Sequence, residues 1–246
     1  MEITVLTIFP NMFDSPFAES IIKRAMDRHL ININIMDIRN FTKDRHKSVD
    51  DYSYGGGPGM ILKPEPIVDA IESIYKKDGN WTDSKIIITS AQGKIFNQKI
   101  AKKLSTLERI IFICGRYEGI DERVGQILNA EEISIGDYVL TGGEIPVMVM
   151  VDAIIRMIPG VLGKEESAKS DSFYHGLLDY PHFTRPENYR NFKVPEVLLS
   201  GDHEKIDRWR MKQSLLRTFI RRPDLFVDRN FSEEELKIID DWKRID

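Results

Sequence analysis

Two glycine-rich stretches carry residue types that suit a ligand site. The first, Cys114-Gly115-Arg116-Tyr117-Glu118-Gly119, follows the apolar run from Ile110 to Ile113. The second runs Ile135-Gly136-Asp137-Tyr138-Val139-Leu140-Thr141-Gly142-Gly143-Glu144-Ile145-Pro146, after Ile133 to Ile135. Each reads as a strand end opening into a loop, which is where sites are usually built. Their glycines would let backbone approach a ligand closely or take positive φ. Ordinary turns would also account for glycines in these places. A third small-residue loop, Ser90-Ala91-Gln92-Gly93-Lys94, follows the short apolar strand Lys85 to Thr89. Downstream, Arg156 is the one cation of an otherwise apolar helix, where a buried guanidinium needs a polar or anionic partner. At a helix C-terminus the same residue would instead complement the dipole. From the residues alone, Asp171 is a solvated linker acid or a helix cap.

The elements that must position these residues follow from periodicity. Residues 2–9 are β-branched and apolar and predict a buried strand. Residues 16–29 carry Phe17, Ile21, Ala25 and Met26 at helical spacing, with Ser15 as N-cap and Pro16 at the first helical position. Residues 31–37 alternate as a strand. This βαβ unit predicts a parallel sheet. The polar stretch 39–60 ends in Tyr54-Gly55-Gly56-Gly57-Pro58-Gly59-Met60, which is no phosphate-binding P-loop because no Gly-Lys-Ser/Thr follows. Helices are expected at 66–75, 97–104, 121–129 and 146–158, with Pro146 at the first position of the last one. That helix is apolar on most sides and should be buried in the core or against a second subunit. Residues 163–176 are polar and small and read as a linker, and 177–195 as loop. A helix at 205–220 places Ile206, Trp209, Leu216, Phe219 and Ile220 on one side, and Arg210, Ser214, Arg217 and Arg221 near another. A last helix, 232–244, is capped by Ser232 with Glu235 as capping-box partner.

Composition narrows the class. The 246 residues are 41% hydrophobic and 30% charged, as expected of a packed core. No apolar run is long enough to span a membrane, and the N-terminus lacks a signal-peptide pattern. A single cysteine excludes an intrachain disulfide framework and suits a reducing, cytoplasmic setting. The net charge of −4 argues weakly against nucleic acid. Seven Lys/Arg against one acid between Lys205 and Arg222 argue for it, because a local basic face can bind phosphates.

Four motifs in one order resemble the bacterial tRNA (guanine-N1) methyltransferases of the SPOUT trefoil-knot superfamily. They are Tyr54–Met60, Cys114–Val124, Ile135–Pro146, and Asp171-Ser172-Phe173 followed by Gly176–Pro186. The resemblance spans the chain from first strand to last helix. One departure is Ala91, where the family usually has proline. The resemblance implies an α/β fold with a mostly parallel sheet, a deep trefoil knot near 85–160, and a small helical C-terminal domain. It divides the chain into a knotted catalytic domain 1–162, a linker 163–176 and a tRNA-binding domain 177–246. It implies a homodimer with no membrane association. The reaction implied is methyl transfer from S-adenosylmethionine to N1 of the guanosine at tRNA position 37, beside the anticodon.

The resemblance also assigns residues. Cofactor contacts fall on Thr89, Ser90, Gly115, Tyr117, Gly119, Ile135, Gly136, Tyr138, Leu140, Gly142, Gly143 and Pro146, mostly through backbone. Asp171 matches the base that removes the N1 proton, Arg156 the cation near O6, and Glu118 a carboxylate near the donor methyl. An unperturbed aspartate is a weak base near pKa 3.9, so either the closed site raises it or Arg156 favours the transfer. Asp179 matches a residue near the target base. Gly57, Gly59, Arg185, Arg210 and Arg217 are expected on the substrate side, with the anticodon arm across 205–222, 185–193 and 39–47. A magnesium ion also enters by resemblance, and the sequence does not fix its ligands.

Overall fold

A computed structural model of the chain describes residues 1–79, 82–163, 171–227 and 229–243. It separates into two compact units, Met1–Glu165 and Glu166–Asp246.

The first unit runs β1 (Glu2–Thr7), α1 (Asp14–Phe17), α2 (Ser20–Asp27), β2 (Asn32–Asp37), β3 (Asp50–Asp51), β4 (Ile61–Leu62), α3 (Pro64–Asp78), β5 (Ser84–Ile95), α4 (Gln98–Leu104), β6 (Arg109–Cys114), α5 (Glu122–Leu128), β7 (Glu131–Ser134) and α6 (Glu144–Ile155). Five of these strands form one parallel sheet in the order β2-β1-β6-β5-β7. The central strand β6 is buried throughout, as a parallel strand covered on both faces must be. Its side chains alternate between two cores. Ile110, Phe112 and Cys114 join Val147, Val151 and Ile155 of α6. Ile111 and Ile113 join Ile67 and Ile71 of α3 and Val124 of α5. Each strand residue thus fixes a helix to one face of the sheet.

Three local expectations change. The helix expected at 16–29 breaks after Phe17, because Ser20 sits at φ +59°. Ser15 lies inside α1 and is not its cap, since the N-cap is Phe13. Residues 90–94 are not a separate loop. The strand β5 continues to Ile95 and bulges between Thr89 and Lys94 as it pairs with β7. Gly93 permits this, because a Cβ there would lie 2.4 Å from the Ile133 nitrogen. Finally, α6 starts at Glu144, so Pro146 is the third helical residue and not the first.

The second unit holds a short hairpin, β8 (Asn188–Tyr189) and β9 (Phe192–Lys193), where only loop was expected. It continues with α7 (Glu196–Leu199), α8 (His203–Arg221) and α9 (Glu233–Lys243). The capping box of α9 forms as its sequence predicts. The Ser232 amide donates to Glu235 Oε2 at 2.8 Å, and the Glu235 amide donates to Ser232 Oγ at 3.2 Å. On α8 the buried positions are Ile206, Leu215 and Thr218, while Phe219 and Ile220 are exposed. The apolar side is therefore rotated from the expected one. The reason is local: Thr218 buries its hydroxyl by donating to Ser214 O and accepting the Leu178 amide, both at 2.7–2.8 Å. Of the predicted linker 163–176, residues 164–170 lie outside the described residues. Residues 171–176 are turns: the Tyr174 amide donates to Asp171 O, and the Gly176 amide to Phe173 O.

Candidate active site

The carboxyl ends of β5, β6 and β7 surround a cleft of about 340 Å³. Thr89, Ser90, Gly115, Tyr117, Gly119, Ile135, Gly136, Tyr138, Leu140, Gly142, Gly143 and Pro146 all line it, with Glu118 among them. The strand order brings residues as distant in sequence as Thr89 and Pro146 to one cleft. In open parallel sheets that is where ligands bind.

Several glycines serve the protein's own packing. A Cβ at Gly143 would meet Thr89 Oγ1 at 2.0 Å, and one at Gly142 would meet Arg116 Nε at 2.1 Å. These glycines let the 135–143 loop lie directly on the 115–116 segment. The Gly143 amide donates to Gly115 O at 2.8 Å, and Arg116 bridges antiparallel to Gly142. Gly119 and Gly136 take φ +128° and +151°, the reversals that turn the two walls inward.

A buried ion pair holds the walls together, and neither partner is assigned by the motifs. Glu144 is 0% exposed at the start of α6. Its Oε2 accepts from Arg116 Nε at 2.9 Å and its Oε1 from the Thr7 hydroxyl at 2.8 Å. Arg116 also donates to Thr141 O at 3.0 Å and stands 4.5 Å from the Phe9 ring. The signal available in the sequence was an acid opening an apolar helix directly after Gly-Gly. Behind this pair, burial and then the Glu144 charge push the Cys114 thiol well up, so it stays neutral. Burial, with the Asp50 carboxylate second, raises the Tyr117 phenol. Asp50 is a further residue the motifs did not single out.

The acidic side of the cleft is Glu118, Asp121, Glu122 and Glu132, and its lining cation, Arg116, is already engaged by Glu144. Such a lining suits a cationic ligand and opposes a polyphosphate. Gly59, expected on the substrate side, lies against Glu118: a Cβ there would fall 2.5 Å from Glu118 Cγ. The Glu118 amide donates to Met60 O at 3.1 Å, so Met60 and β4 border the 118–121 loop, whereas a Cβ at Gly57 would meet only Ser53. Arg156 is half-buried at the C-cap of α6, where its charge complements the helix dipole.

The remaining assigned residues belong to the second unit. Asp171, Asp179 and Arg210 line one concavity there, of about 820 Å³. Asp179 accepts the Tyr180 amide at 2.7 Å and contacts His182 Nε2 at 2.7 Å. Arg210 donates to Asp207 at 3.1 Å and lies 5.0 Å from the Tyr180 ring. Arg185 is exposed and Arg217 half-buried, and neither lines that concavity. Among the described residues no group of three or more His, Cys, Asp or Glu converges to hold a metal. No helix among them is long and apolar enough to cross a membrane.

A family model described as tRNA (Guanine-1)-methyltransferase TrmD matches residues 1–228. A tRNA (guanine-N(1)-)-methyltransferase of Dictyoglomus turgidum is 51% identical over 244 residues, covering 99% of this chain and 97% of that protein. One of Dehalococcoides mccartyi is 53% identical over 241 residues, covering 98% and 96%. One of Carboxydothermus hydrogenoformans is 56% identical over 235 residues, covering 96% and 91%.

Proposed function

The chain belongs to the tRNA (guanine-1)-methyltransferase family and is such an enzyme, and from that premise we propose that it methylates N1 of the guanosine at tRNA position 37 with S-adenosylmethionine as donor. The observation that carries the reading is the single cleft at three parallel strand ends, which gathers all twelve residues assigned to the donor. Its acidic lining suits a sulfonium and an ammonium group, and its exposed backbone suits the edge of a purine. Thr89, Ser90, Tyr117, Ile135, Leu140 and their glycine neighbours would hold the donor. When bound, S-adenosylmethionine supplies an electrophilic methyl group.

The chain's own residues prepare the acceptor. Neutral guanine carries a proton on N1 and is a poor nucleophile there. Asp171 takes that proton, and Arg156 stabilises the charge that moves onto O6. Glu118 orients the cation, and Asp179 contacts the target base. The base must leave its stack to be reached. Gly57, Gly59, Arg185, Arg210 and Arg217 face the RNA, with phosphate contacts setting its register. Magnesium is assigned no ligand, because no carboxylate cluster among the described residues supports one.

The reading includes a trefoil knot, which follows from the family resemblance. It includes a homodimer, supported by apolar side chains left exposed on α6. It keeps the division into 1–162, linker 163–176 and 177–246, and a cytoplasmic location.

Incubating purified protein with labelled S-adenosylmethionine and an unmodified tRNA carrying guanosines at 36 and 37 tests the reading. Label should appear at N1 of guanosine 37, and its absence would sink the proposal. Asp171→Asn should lower transfer by about 10²- to 10⁴-fold, the span of general-base catalysis. Donor binding measured by calorimetry should not change.

A further inference from the structure

The hairpin of the second unit presents two large rings to solvent. Its register pairs Tyr189 with Phe192, so both side chains stand on one face of the ribbon. They are 60% and 83% exposed. The hairpin is closed at its base by the Val194 amide donating to Glu187 O at 2.9 Å. At its tip Arg190 and Asn191 take φ +51° and +69°. Two-residue hairpin turns normally place glycine or asparagine at such angles, and an arginine there is uncommon. Exposed rings add little to folding, and an isolated two-stranded hairpin is marginal by itself. This element therefore spends a costly turn on displaying aromatic and cationic side chains.

The charges around the rings point to one partner. Arg190 stands 5.3 Å from the Tyr189 ring. Arg185, Arg190 and Lys193 make no ion pair among the described residues, and Glu187 is the one acid between them. Of the seven cations on and beside α8, three, Lys205, Arg210 and Arg222, are paired with Asp202, Asp207 and Asp224. The cations on and beside the hairpin are all available to phosphates.

We propose that Tyr189 and Phe192 form a stacking platform for unpaired RNA bases, with the hairpin's three cations on the adjoining phosphates. Ring faces accept any base and cations track the backbone, which is how single-stranded segments are held. A duplex hides its base faces, so the occupant is a loop. The inference rests on the tRNA reading and adds the element that grips the loop.

The test measures equilibrium binding of an unmodified tRNA transcript to Phe192→Ala, Phe192→Leu and Phe192→Trp proteins, and to the Tyr189→Ala/Phe192→Ala pair. Both positions are exposed, so folding, checked by circular dichroism, should be unaffected, as should S-adenosylmethionine binding. Phe192→Ala should bind tRNA about ten-fold more weakly, on the scale of one lost base stack. Leucine should match alanine, and tryptophan should restore binding. Wild-type binding with an unchanged alanine variant would overturn the platform alone. So would leucine restoring binding as well as tryptophan, which marks a non-stacking contact. Conversion of a dimer to a monomer by Phe192→Ala would show that the rings meet protein. A wild-type protein that does not bind the transcript would overturn the tRNA reading and the platform with it.

Discussion

Arg116 shows how much of a binding cleft is fixed by residues that need not touch the ligand. Its guanidinium ties three separated segments: β1 through Glu144 and Thr7, the 135–143 loop through Thr141 O, and the Phe9 turn through the ring face. Glu144 has no access to water, so its charge is tolerable only while Arg116 and Thr7 bond it. Deleting one partner of a buried pair costs about 3–5 kcal/mol, chiefly through the charge left behind. Arg116→Ala should therefore destabilise the protein by about that amount in urea unfolding at neutral pH and abolish S-adenosylmethionine binding. A loss below about 1 kcal/mol would mean that the pair behaves like an exposed one.

At the scale of elements, the sheet was readable because buried parallel strands announce themselves as apolar runs. Ile110–Ile113 and Lys85–Thr89 are of this kind. The glycine motifs placed the cleft for a related reason: each follows such a run. What periodicity missed depends on backbone events that a single residue decides. Ser20 at positive φ breaks a helix whose apolar spacing continues on both sides. Gly93 lets β5 run on through what reads as a loop. Thr218 turns α8 by burying a hydroxyl that no hydrophobic pattern counts. Helix ends were read with mixed success: the Ser232 capping box forms as its sequence predicts, whereas Ser15 and Pro146 do not start their helices. Asp121 caps α5 by accepting the Arg123 amide at 3.0 Å, and its side chain also binds the Arg123 guanidinium at 2.7–2.8 Å. That guanidinium bond, opposed by burial and helped by the amide, holds the Asp121 carboxyl below the usual range. A lowered folded pKa stabilises above the unfolded value, near 3.9, and the benefit is lost as pH falls through the folded pKa. Asp121→Ala should cost about 1 kcal/mol at pH 7. Denaturant midpoints taken from pH 7 downward should show the charge-dependent part of that gap closing in acid. A gap that stays constant to pH 2 would leave the charge no role.

For the molecule as a whole, α6 decides whether one chain is enough. Val147, Met150, Val151, Ile154 and Ile155 are buried in the first unit's core, yet Ile145 and Val149 remain 46% and 45% exposed. They are four residues apart, so they form one apolar strip on the outer side of the helix. A helix this apolar on its outer side is unusual for a surface exposed to water. A twofold dimer would set the strip against its own copy, because an isologous interface is self-complementary. Ile145→Glu with Val149→Glu would then bring four carboxylates together across the axis, where like charges without water oppose association. Within one chain both positions already see solvent, so the fold should tolerate the change. Sedimentation should find a dimer for the wild type and a monomer for the double variant, with circular dichroism unaltered. If each active site needs both copies, methyl transfer should fall with the dimer, and it should return on raising the protein concentration of the milder Val149→Glu single variant. A double variant that still sediments as a dimer would assign the strip to some other partner.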